Sequence, residues 1–174
     1  MEGETIVVIV TIFLAAILIG IFPMMSIAER NDDIAQLSVN TAISEFVDTV
    51  RKTGKITMDD YNSLVSTLYA TGNTYDISME VQVLDDNPSK KTTQSDETKI
   101  GENIYYSIYT TQIFDELQKN SEYPLKEGDI ITVSAANTNN TISQMLKNFF
   151  YSLSGNSSYS IVASQSGVIA VTGS

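Results

Sequence analysis

The sequence contains no cysteine and no histidine. The absence of cysteine excludes disulfide bonds and thiolate chemistry, and the absence of both residues removes the usual ligands of zinc. Histidine is also the commonest general base in enzymes. Catalysis by this chain would therefore have to rest on carboxylates, lysines or hydroxyl groups.

Basic residues are scarce, with 10 Lys and Arg against 21 Asp and Glu and a formal charge of -11 over 174 residues. Adjacent basic residues occur as the pairs Arg51-Lys52 and Lys90-Lys91. Nucleic acids and anionic lipid surfaces attract clustered positive charge, so the composition argues against both as partners. The length allows one domain of ordinary size and an additional element.

Motifs of catalysis are missing as well. The chain has no phosphate-binding glycine loop, no G-x-S-x-G elbow and no cluster of residues with metal-ligand spacing. We therefore expect a protein that is not an enzyme and that holds no cofactor and no metal.

Three acidic pairs are the nearest approach to a cluster of chemical groups. We interpret Asp32-Asp33 as helix-surface or first-turn charge, Asp59-Asp60 as favourable charge at a helix start, and Asp85-Asp86 as part of a turn. Calcium at Asp85-Asp86 is an alternative, although the spacing of an EF-hand loop is absent. None of the three pairs predicts a catalytic site.

An uncharged apolar run extends from Thr5 to Met25. About 20 such residues, at about 1.5 Å each in a helix, match a hydrocarbon layer of about 30 Å. Three interpretations stay open: a secretory signal cleaved after Ala28, a simple membrane anchor, or the apolar half of a long helix that packs against copies of itself. The acidic start with Glu2 and Glu4 is unlike the basic start of a signal peptide.

A helical pattern continues beyond the apolar run. Apolar residues recur at helical spacing up to Thr53-Gly54, where the helix is expected to end. They are Ile34, Leu37, Val39, Ala42, Ile43, Phe46, Val47 and Val50. Pro23 predicts a kink or local break. The alternative is that Pro23 ends a membrane helix and that a second helix begins near Asn31 or Asp32.

The remaining chain alternates between helical and strand patterns. Thr57 starts a capping-box pattern that predicts a short helix before Gly72, and a helix is expected to end near Lys119-Asn120. The start of the latter is open, because Tyr105 to Tyr109 also fits a strand. Asn140 is the expected N-cap of a later helix. The apolar stripe of that helix, interpreted as core, is Ile142, Met145, Leu146, Phe149, Phe150 and Leu153.

Strand patterns are clearest at Tyr75 to Val83, where apolar and polar residues alternate, and at Ile130 to Ala135. One or two closing strands are expected from Ser158 to Ser164 and from Val168 to Thr172, around a turn at Ser166-Gly167. Residues 85–103 are expected to form a long exposed loop.

These elements predict an α+β fold. A long N-terminal helix, hydrophobic and then amphipathic, occupies residues 1–52 and carries a small head of residues 53–174. The head is expected to contain short helices and a mostly antiparallel sheet of three or four strands.

The N-terminal layout resembles the type IV pilin and pseudopilin class, with the TadE-like minor pilins of tight-adherence systems as the nearest in style. The resemblance covers Met1 to about Lys52 in pattern, and the head only in style. It implies that Glu4 takes the place of the charged pilin residue that pairs with a neighbour's amine, and that Pro23 is the helix breaker. The residues implied in membrane insertion and assembly are Glu4, Ile6, Val10, Phe13, Leu14, Ile17, Gly20, Ile21 and Pro23.

By this resemblance the protein is expected to be a structural subunit of a surface filament or secretion apparatus. Its helix would hold it in the membrane before assembly and then pack against copies of itself or related subunits. The head would lie outside the membrane. The alternative is a membrane-anchored extracytoplasmic binding or accessory domain that does not polymerise.

Overall fold

The computed structural model describes residues 2–84, 105–145 and 162–173. Its dominant feature is one continuous helical segment, residues 2–53, which we call the spine helix. It consists of α1 (Glu2–Ala16), a π-helical turn (Ile17–Ile21) and α2 (Phe22–Thr53). The prediction of one long helix is confirmed, and the alternative of a second helix beginning near Asn31 or Asp32 is wrong.

The irregularity expected near Pro23 takes the form of the π-helical turn directly before it. The backbone N–H of Phe22 donates to the carbonyl oxygen of Ile17, five residues earlier. Pro23 follows in the first turn of α2. Since proline has no N–H and crowds the preceding turn, a locally widened helix accommodates it without ending the helix.

The spine helix ends where the sequence predicts. Gly54 has a left-handed backbone conformation, with φ of 70°, and its N–H donates to the carbonyl oxygen of Val50 at 2.8 Å. A residue with a Cβ atom is disfavoured in this conformation, so glycine allows the chain to turn back towards the head.

The head begins directly after this turn. Its described elements are β1 (Lys55–Thr57), α3 (Met58–Tyr69), β2 (Tyr75–Leu84), β3 (Tyr105–Tyr109), α4 (Thr110–Asn120), β4 (Glu122–Pro124), β5 (Ile130–Asn137) and β6 (Val162–Val168). Four strands form an antiparallel sheet in the order β3-β2-β5-β6, and β1 pairs with β4 in a separate antiparallel ribbon. The predicted α+β class with a four-stranded antiparallel sheet is confirmed.

Local signals placed several boundaries correctly. The Thr57 hydroxyl accepts a hydrogen bond from the backbone N–H of Asp60 at 3.1 Å and so caps α3 as predicted. The ambiguous stretch from Tyr105 resolves into β3 followed by α4, which ends at Asn120. The short strands β1 and β4 carry no periodic signal, and the sequence did not predict them.

Two boundary predictions were wrong. The later helix begins at residue 142 and is capped by Thr141, not by Asn140. The pair Ser166-Gly167 lies inside β6 and forms no turn, because both residues are paired with β5. The predicted loop at 85–103 and the helix residues after Met145 lie outside the described residues.

The core lies between the second half of the spine helix and one face of the four-stranded sheet. From the helix it contains Ala35, Val39, Ala42, Ile43, Phe46, Val47 and Val50. The sheet contributes Met79, Val81, Ile131, Val133, Ala135 and Ala163. The division of the chain into a helix of residues 1–52 and a head of residues 53–174 stays a prediction. The core contains residues from both of these segments.

Four residues of the predicted apolar helix patterns are exposed. Ile34 and Leu37 lie outside the arc of α2 that faces the sheet, and Ala35 occupies the core position between them. Ile142 and Met145, at the start of the predicted C-terminal stripe, are also exposed.

Candidate functional site: the exposed spine helix and its junction with the head

The first half of the spine helix carries the residues predicted for membrane insertion and assembly, and most of its residues are exposed in the part of the structure that is described. Glu4 and Pro23 are exposed, and so are the apolar residues between them except Ala15, Ile17 and Ile21, which are partly buried. Phe13, with 66 % of its surface exposed, is typical of the segment. The other exposed residues of the predicted set are Ile6, Val10, Leu14 and Gly20.

This segment is long and apolar enough to cross a membrane, and the described head covers none of its most apolar window. Leaving so much apolar surface in water would cost about 25 cal/mol for each Å². Lipid or other apolar helices would remove that cost. The structure therefore brings the predicted residues together as one continuous helix surface that the described residues of the head leave uncovered.

Apolar exposure continues beyond this segment, on the back of α2. Ile27, Ile34 and Leu37 are 63 %, 56 % and 67 % exposed, and we call these three residues the outer stripe. At about 100° per residue they fall within about 80° of one another around the helix axis. Leu37 lies about 160° from the core residue Ala35 on the same measure. Leu37 thus faces away from the sheet, whereas Ile27 and Ile34 lie at the sides of the helix, where each lines a cavity beside the head.

A cavity of about 460 Å³ lies where the spine helix meets the end of the head nearest the apolar run. We call it the junction cavity. Its walls come from α2 around Ala28, from the turn after α3 around Gly72, and from residues 139–143. Met24 and Ile142 make part of the lining apolar.

The junction cavity contains a buried carboxylate. Asp32 is only 9 % exposed, which corrects its interpretation as helix-surface charge, whereas Asp33 beside it is exposed. The hydroxyl of Thr141 donates a hydrogen bond of 2.9 Å to Oδ2 of Asp32. No lysine or arginine is present among the residues that line the cavity.

A capping box holds the Thr141 hydroxyl in place. Its oxygen accepts a hydrogen bond from the backbone N–H of Gln144 at 3.2 Å, while the Gln144 side chain accepts from the N–H of Thr141 at 3.0 Å. All three side chains, Asp32, Thr141 and Gln144, are buried. This reciprocal arrangement fixes the start of the helix against α2.

Sequence reasoning missed this site although two signals were present. Asp32 follows Ala28 by four residues and precedes Ala35 and Val39 by three and seven, which places it on the buried face of α2. Thr141-x-x-Gln144 is a capping-box pattern. The contact between Asp32 and Thr141 joins residues far apart in sequence, so no local pattern could show it.

Comparison of the chain with protein-family models, curated proteins and solved structures finds no match. The geometry of the spine helix and of the junction cavity is therefore the basis for assigning a function.

Proposed function

We propose that this protein is a structural, pilin-like subunit of a surface filament or secretion apparatus. The spine helix holds the subunit in a membrane, with the head on the outer side, and later packs against spine helices of other copies or related subunits.

The outer stripe is the observation that carries this proposal. A membrane anchor needs an apolar surface of about 20 residues. Here the exposed apolar surface extends from the uncharged run to Leu37, 12 positions after Met25 and about 18 Å further along the helix. Apolar residues in that position would lie beyond the lipid layer. A neighbouring helix beside the head would bury them.

The rigid attachment of the head fits the same role. Val39, Ile43 and Val47 are almost completely buried between the spine helix and the sheet. Because a packed core resists deformation, the orientation of the head is set by that of the helix. Packing of spine helices in a regular array would consequently place the heads in a regular array.

Assembly also requires that the apolar segment leave the lipid. A helix that is stable in lipid can do so when equivalent helices replace the lipid around it. The exposed carboxylate of Glu4, at the start of the apolar run, would be costly inside such a bundle unless an ammonium group paired with it. In this proposal the amine of a neighbouring subunit supplies that partner.

Replacing Ile6 to Phe22 by a poly-Leu span of equal length tests the proposal. The variant should insert into membranes and keep a folded head, because the head core begins after this segment. We expect the unchanged protein to give surface filaments and a ladder of cross-linked subunits in native membranes, and we expect the variant to lose both. Full function of the variant as a monomer would contradict the proposal and support a membrane-anchored domain that does not polymerise.

A further inference from the structure

We infer that the junction cavity binds an organic ammonium ion, whose charged nitrogen is paired with Asp32. Assembly by the spine helix does not require such a site. The inference depends on the membrane location of the helix only for one of the two sources of the ligand considered below.

The first support is the incomplete pairing of Asp32. Thr141 is its one hydrogen-bond donor among the described residues. A carboxylate accepts about four hydrogen bonds, and a buried ionised carboxylate is costly without a positive partner. The cavity lining provides no lysine or arginine, so a cation from outside the described chain would meet an unused acceptor.

The second support is an unpartnered hydroxyl in the same lining. Ser143 is 1 % exposed, and its Oγ atom has no hydrogen-bond partner among the described residues. A buried hydroxyl without a partner costs about 1–3 kcal/mol. Ser143 and Asp32 both line the junction cavity, so an ammonium group held there has a charged acceptor and a neutral one.

The size and lining of the cavity define the class of cation. A volume of about 460 Å³ is much larger than a single metal ion needs, and Met24 and Ile142 add apolar surface to the wall. An ammonium group on a short aliphatic chain fits both the volume of the cavity and the apolar part of its wall. The negative charge of the protein, -11 overall, would also attract a cation to the cavity.

Two sources can supply this chemistry. The cavity includes Met24, which lies inside the apolar run, so its mouth is at the level where a membrane-spanning helix would leave the lipid. The amine of a lipid headgroup could enter there. A free alkylamine could enter from the aqueous side.

The test uses the full chain in detergent micelles, titrated calorimetrically with ethanolammonium chloride and, separately, with ethylene glycol. Ethanolammonium should bind and the uncharged diol should not. Asp32→Asn keeps the shape of the side chain and should weaken binding about tenfold or more, because it removes a charge-assisted hydrogen bond. The matched control Asp33→Asn changes the exposed neighbouring carboxylate and should leave the affinity unchanged.

Ser143→Ala separates ligand binding from a structural role. It should weaken ethanolammonium binding about two- to tenfold, the value of one hydrogen bond. Since the hydroxyl has no hydrogen-bond partner in the described part of the chain, the thermal unfolding midpoint without ligand should stay the same or rise. A fall in stability with unchanged affinity would contradict the assignment of Ser143.

The full chain in nanodiscs distinguishes the sources. A higher unfolding midpoint with phosphatidylethanolamine than with phosphatidylglycerol, lost in Asp32→Asn, identifies the lipid amine. Binding of ethanolammonium without this lipid effect identifies a free amine. Absence of both effects, or Asp32-dependent binding of Ca²⁺ but not of ethanolammonium, would overturn the inference. Amine binding by a protein that stays monomeric in native membranes would support this inference while contradicting the proposed assembly.

Discussion

Gly167 of β6 lies so close to Arg51 of the spine helix that a Cβ atom added at position 167 would stand 2.2 Å from Cδ of Arg51. The approach lets Nε of Arg51 donate a hydrogen bond of 2.9 Å to the carbonyl oxygen of Val168. At the other end of the strand, Nε2 of Gln36 donates to the carbonyl oxygen of Val162 at 3.0 Å. The spine helix thus binds the carbonyl groups at both ends of the edge strand β6, which would otherwise be open to another strand.

Gly167→Ala should therefore weaken the contact between helix and sheet. The added methyl group overlaps both Arg51 and Val47, so the helix or the strand has to shift. We expect the free energy of unfolding to fall by about 1–3 kcal/mol, as for other overpacked sites. Denaturant unfolding of the full chain in detergent measures the change. Gln165→Ala, at an exposed position of the same strand, is the control and should have a smaller effect.

Ile43→Ala tests whether the second half of the spine helix belongs to the core of the head. Ile43 is completely buried, and its truncation should lower the free energy of unfolding by about 2–5 kcal/mol. Leu37→Ala removes a similar volume from the exposed back of the same helix and should change stability by less than about 0.5 kcal/mol. Equal effects of the two variants in denaturant unfolding would contradict the described packing.

Thr57→Ala should destabilise α3 by removing its N-cap. The hydroxyl accepts from the N–H of Asp60 and donates to Oδ2 of the same residue at 2.6 Å. We expect a loss of about 1 kcal/mol in the free energy of unfolding. Thr67→Ala, at an exposed position within the same helix, is the control, and it should be neutral or slightly stabilising because alanine is the better helix former.

Alkaline pH should destabilise the head through two partly buried tyrosines. Burial raises the pKa of Tyr61, and Tyr69 and Asp76 raise it further. Burial is also the main cause of the raised pKa of Tyr123. In the unfolded chain a tyrosine loses its proton near pH 10. Their contribution to stability is complete below about pH 10 and is lost as the pH rises through the folded-state pKa values, because the unfolded state releases its protons first.

Unfolding midpoints measured between pH 8 and pH 11, a range around the ordinary tyrosine pKa of about 10, check this prediction. A double Tyr61→Phe and Tyr123→Phe variant should show a shallower loss of stability on the alkaline side. Tyr109→Phe alters an exposed tyrosine and should keep the steep loss of the unchanged protein. Identical pH profiles for all three proteins would contradict the prediction.

Local chemistry explains which parts of the fold the sequence predicted. The glycine after Thr53, the cap at Thr57 and the alternation in β2 each act over a few neighbouring residues, so their signals can be read directly. The pairing of β1 with β4 depends on residues distant in sequence, and strands this short leave no periodic pattern. Pro23 predicted an irregularity in the helix. The form of this irregularity, a π-helical turn, depends on the surrounding helix and could not be predicted from the proline alone.

The candidate site also combines features that local sequence predicts with features that depend on distant residues. The apolar run up to Met25 can be recognised from its composition alone. The burial of Asp32 depends on residues 139–143, which fold back against α2. Helical periodicity alone grouped Ile34 and Leu37 with the core residues of α2 on one apolar face, because a broad apolar arc does not reveal which of its sides meets the sheet. The resulting exposure of Leu37 is the feature on which the proposed assembly most depends.

Disulfide cross-linking through Leu37→Cys tests that assembly most directly. The chain has no cysteine, so the new thiol would be its only one. Mild oxidation of native membranes or filaments should give cross-linked subunits of the Leu37→Cys protein, since the proposal places outer stripes of neighbouring copies together. Asp115→Cys, at an exposed position of α4, is the matched control and should give far fewer. A Leu37→Cys protein that stays monomeric under these conditions, or that cross-links no more than the control, would contradict the account.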